Sequence, residues 1–71
     1  MADSVYKVIE LVGASSESWE KAAAAAVNQA SKSLRDLRVA EIVQLDVTIE
    51  NGKVKSYRAK VKLSFKYESG R

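Results

Sequence analysis

The last third of the chain alternates apolar and polar residues with the two-residue period of a β-strand. From Tyr57 to Tyr67 nearly every second residue is apolar, and most of the positions between them are basic. A second β-rich segment precedes it, and the two are separated by Asn51-Gly52, a dipeptide typical of tight hairpin turns. The pattern therefore predicts one β-hairpin from Arg38 to Glu68, with about a dozen residues in each arm.

Matching the apolar faces of the two arms predicts the register of this hairpin. The faces to be matched are Tyr57, Ala59, Val61, Leu63, Phe65 and Tyr67 in the last strand and Val43, Leu45, Val47 and Ile49 in the preceding one. A two-residue turn that pairs Glu50 with Lys53 would set apolar residues against basic ones, although opposite residues share a face. We therefore predict a type I turn with a left-handed bulge at Gly52, which pairs Ile49 with Lys53.

The first half of the chain predicts a strand and then a helix. Val5 to Val12 is β-rich, and Gly13 is expected to end this strand. A helix is predicted from Ser16 to about Ser33, capped by Ser15 or alternatively by Ser16. Its apolar stripe keeps helical spacing and consists of Trp19, Ala22, Ala23, Ala26, Val27, Ala30, Leu34 and Leu37.

These elements predict an α+β fold in which the sheet is longer than the one helix that can cover it. The order is β-α-β-β in a single domain, residues 1–71, with a three-stranded antiparallel sheet packed on one helix. Each hairpin arm spans about 40 Å, whereas the helix spans about 27 Å. Tyr6, Val8 and Ile42 are apolar and are expected on the face that the helix does not cover. We therefore expect a protomer that completes its core with copies of itself.

Composition narrows the possible functions. The 71 residues include no cysteine and no histidine, which excludes disulfides, thiolate metal sites and the commonest general base. No nucleophile–base pair is visible, so we expect no enzyme. There is no signal-peptide pattern, and the longest apolar run, Ala22 to Val27, is too short to span a bilayer. The expectation is a soluble, cytoplasmic protein without membrane association.

Two groups of charged residues have more than one interpretation. Asp46 interrupts an apolar strand segment, so it binds a cation, lines a cavity as a polar group or pairs with Arg58 across the hairpin. The predicted register places Gln44 directly opposite Arg58 and Asp46 on the diagonal. The salt bridge is favoured because the register supplies the partner. The basic stripe Arg58, Lys60, Lys62 and Lys66 could contact phosphates, but no aromatic residues interleave it. A solvated face is favoured, and a nucleic-acid partner is not expected.

The order and spacing of these segments resemble the dodecins, small proteins that form hollow dodecamers and mostly bind flavins. The matching stretches are Val5 to Ser15, Ala30 to Arg35, Ile49 to Val54 and Val61 to Phe65. Nearly the whole chain is covered by the resemblance. It implies a hollow homo-dodecamer and agrees with the self-association that the size argument requires.

The resemblance also implies that the flavin site is lost. Flavin-binding dodecins stack the ring on a tryptophan early in the second strand, where this chain has Val39, and a flavin-binding glutamine of the third strand matches Arg58. An arginine-glycine pair of the family matches Asp46-Val47, and Gln44 lies near these positions. The segments Ser18-Trp19-Glu20 and Arg38-Val39-Ala40 are similar to a tryptophan-lacking subgroup associated with calcium.

Three classes of function stay open at this stage. The first is a dodecameric binding or storage protein for a ligand other than stacked flavin, with a divalent cation such as Ca²⁺ as a candidate. Its oxygen ligands would be Asp46, Glu41 and Glu50, brought together where protomers meet. The second is a residual binder of flavin or a nucleotide-like cofactor, and the third is a structural shell without a small ligand.

Overall fold

The computed structural model describes residues 3–67, so the predicted end of the hairpin at Glu68 lies outside them. The chain forms β1 (Tyr6–Ser15), α1 (Trp19–Ser31), β2 (Leu37–Glu50) and β3 (Lys53–Lys66). The three strands form one sheet in the order β1-β3-β2, and both pairings are antiparallel. The predicted α+β fold of one helix on a three-stranded sheet is confirmed.

The helix begins later than predicted, because Ser15 still belongs to β1. The Ser15 hydroxyl accepts a hydrogen bond from the Glu17 backbone N–H at 3.0 Å and shapes the turn before the helix. Ser18 is the N-cap, and its hydroxyl accepts from the Lys21 N–H at 3.0 Å. The predicted caps, Ser15 and Ser16, are therefore wrong.

Gly13 does not end the first strand but lets the helix approach it. A Cβ atom at this position would lie 2.0 Å from the carbonyl oxygen of Ala22 and 3.2 Å from the Cβ of Ala26. The strand therefore passes directly under the helix backbone, which is possible only without a side chain. The core formed by this close contact is small and consists of Ala22, Ala26, Ala30, Ala59, Val61 and Leu63.

The register of the hairpin shifts by one residue, as expected, but the extra residue lies in β3 and not at the turn. Asn51 and Gly52 have φ angles of 54° and 75°, which is the conformation of a type I′ turn, and Glu50 pairs directly with Lys53. The predicted type I turn and the pairing of Ile49 with Lys53 are wrong. Lys55 instead forms a bulge in β3, so that Ile49 pairs with Val54 but Thr48 with Ser56.

A second irregularity changes which side of β2 is apolar. Val43 has no partner in the ladder, and the pairing continues with Gln44 opposite Lys60 on one side and Ile42 opposite Val61 on the other. Because Val61 is buried under the helix, Ile42 lies on the helix side. Its predicted position on the uncovered face is wrong, since the bulge reverses the alternation at Val43.

One protomer leaves a large surface exposed. Its radius of gyration is 14.8 Å, against about 11 Å for a compact domain of this length. Its accessible area is 5468 Å², against about 4,400 Å² for a folded monomer of this mass. Among residues 3–67, twelve large hydrophobic residues are exposed. No helix in this range is long and apolar enough to cross a membrane.

Candidate functional site

The sheet face away from the helix carries an ion pair between Asp46 and Arg58. The two residues lie directly opposite each other, and the Arg58 Nε and Nη2 atoms donate to the two carboxylate oxygens at 2.8 and 2.9 Å. The hydrogen bonds from Arg58 hold the pKa of Asp46 below its ordinary value, and the same bonds raise the pKa of Arg58. The pairing expected from sequence is confirmed, while the predicted placement of Gln44 opposite Arg58 is wrong.

The basic residues of β3 do not form a continuous positive surface. Lys62 lies between Glu10 of β1 and Glu41 of β2 in the same row of the sheet. Arg58 has Asp46 beside it, so carboxylates of the neighbouring strands lie next to two of the four cations. This arrangement is that of a solvated face of mixed charge.

The residues that match the family's flavin site are far apart in one protomer. Val39 pairs with Ser64, whereas Arg58 lies six residues earlier on β3, a separation of about 20 Å. Gln44, opposite Lys60, lies nearer Arg58. Val39 borders only a small pocket of about 150 Å³ together with Val27 and Leu63.

The three candidate metal ligands are also spread along one strand. Glu41, Asp46 and Glu50 are separated by about 17 and 14 Å along β2. Both oxygens of Asp46 accept from Arg58, and Glu50 forms an ion pair with Lys55 at 3.2 Å. Within residues 3–67, no three acidic side chains come close enough together to hold a metal ion.

An apolar groove, here called the Trp19 groove, lies between the start of the helix and β2. It measures about 440 Å³ and is lined by Trp19, Glu20, Ala23, Ile42 and Leu45. The indole Nε1 of Trp19 donates to the Asp46 carbonyl at 3.0 Å, and its ring meets the Tyr57 ring edge-to-face with centroids 5.1 Å apart. Sequence reasoning missed this groove because strict alternation placed Ile42 and Leu45 on opposite faces.

A second pocket, here called the basic pocket, lies at the other end of the sheet. It measures about 490 Å³ and is lined by Lys7, Arg35, Asp36, Phe65, Lys66 and Tyr67. Cations beside aromatic rings suit a ligand with an anionic group and a planar ring. Its residues come from three separate segments of the chain, so no single sequence motif points to it.

The comparisons with known proteins decide the family. The dodecin family model matches residues 5–68. The chain belongs to the dodecin family. Its 46% identity to calcium dodecin of Mycobacterium tuberculosis extends over 63 residues, 89% of each protein. Its 41% identity to dodecin of Thermus thermophilus extends over 64 residues, 90% of this chain and 93% of that protein.

Solved dodecin structures have the same fold. Dodecin from Streptomyces coelicolor superposes with a TM-score of 0.92 at 36% identity, covering 99% of this chain and 100% of that one. The calcium dodecin of M. tuberculosis, described as a calcium-chelating antigen with a novel calcium-binding site, gives a TM-score of 0.82 at 45% identity, covering 96% and 97%. The β-α-β-β arrangement is therefore the dodecin fold.

Proposed function

We propose that this dodecin is a subunit of a hollow dodecamer that binds or stores a divalent cation such as Ca²⁺ and does not stack flavin. The family match over residues 5–68 carries the proposal, because dodecins are small, homo-oligomeric binding proteins. The uncovered apolar residues of the single protomer support self-assembly, and the likeness to calcium dodecin supports the choice of cation. Within the family, we place the chain with the members that lack the stacking tryptophan.

Weak flavin binding follows from the residues at positions 39 and 58. Val39 has no aromatic face, and the loss of one stacking contact costs about 1–3 kcal/mol. The guanidinium of Arg58 is already bound by Asp46. We expect that riboflavin fluorescence is not quenched at low micromolar protein, and that Val39→Trp combined with Arg58→Gln restores quenching. Strong saturable quenching by the unchanged protein would contradict this part of the proposal.

A cation site would be completed by carboxylates from more than one protomer. Ca²⁺ takes six to eight oxygen ligands, and one protomer does not gather them within residues 3–67. Of the three candidate ligands, Glu41 forms no ion pair within 4 Å in these residues, whereas Asp46 and Glu50 do. Glu41 is therefore the ligand that we rank first, with Asp46 and Glu50 after it.

Native mass spectrometry and thermal unfolding test the two parts of the proposal together. We expect particles of about twelve subunits and a thermal midpoint that rises with Ca²⁺ and falls with chelator. Glu41→Gln should abolish the rise, whereas Glu17→Gln, which removes an exposed carboxylate outside the sheet, should keep it. A monomer in native mass spectrometry would contradict the proposed assembly. A thermal midpoint that does not change with Ca²⁺ would contradict the proposed cation binding.

A second candidate function is favoured by the basic pocket. Lys7, Arg35 and Lys66 beside Phe65 and Tyr67 suit a nucleotide-like cofactor with a phosphate group. Calorimetric titration with ADP tests it, and Lys66→Glu should remove the binding while Lys55→Glu, a matched change at the far end of β3, keeps it. A particle that binds neither ADP nor Ca²⁺ would leave the structural shell as the remaining function.

A further inference from the structure

The Trp19 groove exists because the helix covers only part of the sheet. The helix packs over β1 and β3, so the apolar residues of β2 on the same side remain open. Ile42 and Leu45 are 46% and 49% exposed, although their partners across the ladder, Val61 and Ala59, are fully buried. Another apolar group is needed to cover this side of β2.

The hairpin tip, residues 49–54, carries two apolar side chains without cover, Ile49 and Val54. Ile49 and Val54 form a cross-strand pair and are 69% and 53% exposed. The tip begins beyond Tyr57, the residue that contacts the start of the helix, and extends about 14 Å further along β3. Every residue of the tip is exposed in the single protomer.

The tip cannot occupy the groove of its own chain. Ile49 and Leu45 are on the same extended strand and about 14 Å apart. The area to be covered also requires a second molecule. One protomer exposes about 1,000 Å² more than a compact monomer of its mass, and a stable interface covers about 800 Å² on each partner.

Charge favours a contact between the tip of one copy and the groove of another over a contact between two grooves. Glu20 is the charged residue of the groove wall. If two grooves met face to face, two Glu20 carboxylates would oppose each other at an apolar contact. The tip instead carries Lys53, which forms no ion pair within residues 3–67, while its neighbour Lys55 already pairs with Glu50.

We propose that the hairpin tip of one copy inserts into the Trp19 groove of a second copy. Ile49 and Val54 then cover Ile42 and Leu45, and Lys53 lies beside Glu20. The inference rests on the proposed self-assembly and names the surfaces that carry it. Because tip and groove are different surfaces, the contact is directional and each copy uses both, so it continues from copy to copy and gives a ring where the rotation closes.

Engineered disulfides test the contact directly. The chain has no cysteine of its own, and Ile49→Cys is combined with either Leu45→Cys or Ile42→Cys. Both groove positions are too far along the strand from Ile49 for a bond within one chain, since a disulfide needs Cα atoms within about 7 Å. After oxidation of the assembled particle, we expect at least one pair to give covalent dimers and larger species on a non-reducing gel.

The matched control is Ile49→Cys with Val8→Cys, because Val8 is similarly exposed but lies on the opposite face of the sheet. It should give no covalent species, and each single cysteine variant should also stay monomeric on the gel. Cross-linking through Ile49→Cys alone would show tip-to-tip contact and would overturn the proposal. An intact particle in which neither groove pair cross-links would overturn it as well.

Charge reversal provides a second measurement that does not depend on disulfide geometry. Glu20→Lys and Lys53→Glu should each raise the concentration at which the particle dissociates by about twofold to fivefold, and the double variant should return it to the original value. A double variant in which the effects of the two single variants on the dissociation concentration simply add would contradict the contact between Lys53 and Glu20. If the unchanged protein sediments as a monomer, the proposed assembly itself fails, which is a separate and visible result.

Discussion

The two strands of the hairpin have the same length and face the same helix, but only β3 contains buried residues. In β3, Ala59 and Val61 are fully buried, whereas their ladder partners in β2, Leu45 and Ile42, are exposed by almost half. The side chains of β2 are the larger ones in both pairs, leucine against alanine and isoleucine against valine. Position under the helix, and not hydrophobicity, therefore determines burial within this protomer.

The difference shows what each strand contributes. β3 is the central strand, and its buried residues hold the protomer together through α1 and β1. β2 is an edge strand with bulges at Arg38 and Val43, and its apolar residues remain available to other copies. Substitutions in β3 should therefore affect folding of the protomer, and substitutions in β2 should affect assembly.

The largest effect on protomer stability is expected from a substitution that moves the helix away from the sheet. Gly13→Ala should cost about 3 kcal/mol or more of unfolding free energy, because the added Cβ would overlap the Ala22 carbonyl at 2.0 Å. Ala14→Ser, one residue further and on the other face, should cost little. Chemical denaturation measures both, and a Gly13→Ala variant of unchanged stability would show that the close approach is not required.

Truncation of one leucine in each strand compares the two strands directly. Leu63→Ala should lower the unfolding free energy by about 2–5 kcal/mol at every protein concentration, since it opens a cavity in the core. Leu45→Ala should leave the dissociated protomer nearly unchanged and should raise the concentration needed for assembly. If both variants lost the same unfolding free energy below the dissociation concentration, the two strands would not differ in their contribution to protomer stability.

In the dissociated protomer the hairpin tip is uncovered, so a backbone effect can be measured there without a packing effect. Gly52 has a φ of 75°, and a Cβ there would meet no atom within 4 Å. Gly52→Ala should therefore cost about 1 kcal/mol from the left-handed conformation alone. Gly52→Asn should cost less, because asparagine tolerates this region better. Denaturant midpoints of both variants, measured below the concentration at which the particle dissociates, check that Gly52→Ala is the less stable of the two.

The smallest expected effect is the pH dependence of the Asp46–Arg58 pair on the open face. The pKa of Asp46 is lowered by hydrogen bonding to Arg58, so the pair stabilises the folded state above the ordinary carboxyl pKa, near pH 4. This contribution is lost as the pH falls through the lower folded-state pKa. The thermal midpoint of the protein should therefore approach that of Asp46→Asn below about pH 4. A constant difference between them down to pH 2 would contradict the shift.

The order of the helix and strands could be predicted from the sequence, because Asn51-Gly52 and the helical alanine stripe are local signals. The sequence was not sufficient for the register. The bulges at Lys55 and Val43 depend on how two strands twist together, and nothing in either strand alone marks them. The helix start was missed because three serines directly before the helix, Ser15, Ser16 and Ser18, offer similar caps, and the sequence alone does not select Ser18.

The candidate site was predicted only in part. The Asp46–Arg58 pair followed from two opposite charges on adjacent strands. The Trp19 groove did not, because it depends on the reversal at Val43 and on the lateral position of the helix. The basic pocket joins residues from β1, β3 and the loop after the helix, a juxtaposition that exists only in three dimensions.

The central position of β3 also has a kinetic consequence. Its pairing with β2 closes a loop of two residues, whereas its pairing with β1 joins Tyr6 to Lys66 across nearly the whole chain. Because long loops are slow to close, the hairpin should form early in the folding transition state, and β1 should dock last. Until then one edge of β3 is open to a β1 strand from any copy nearby, so refolding at high concentration should produce strand-exchanged species that refolding at low concentration avoids.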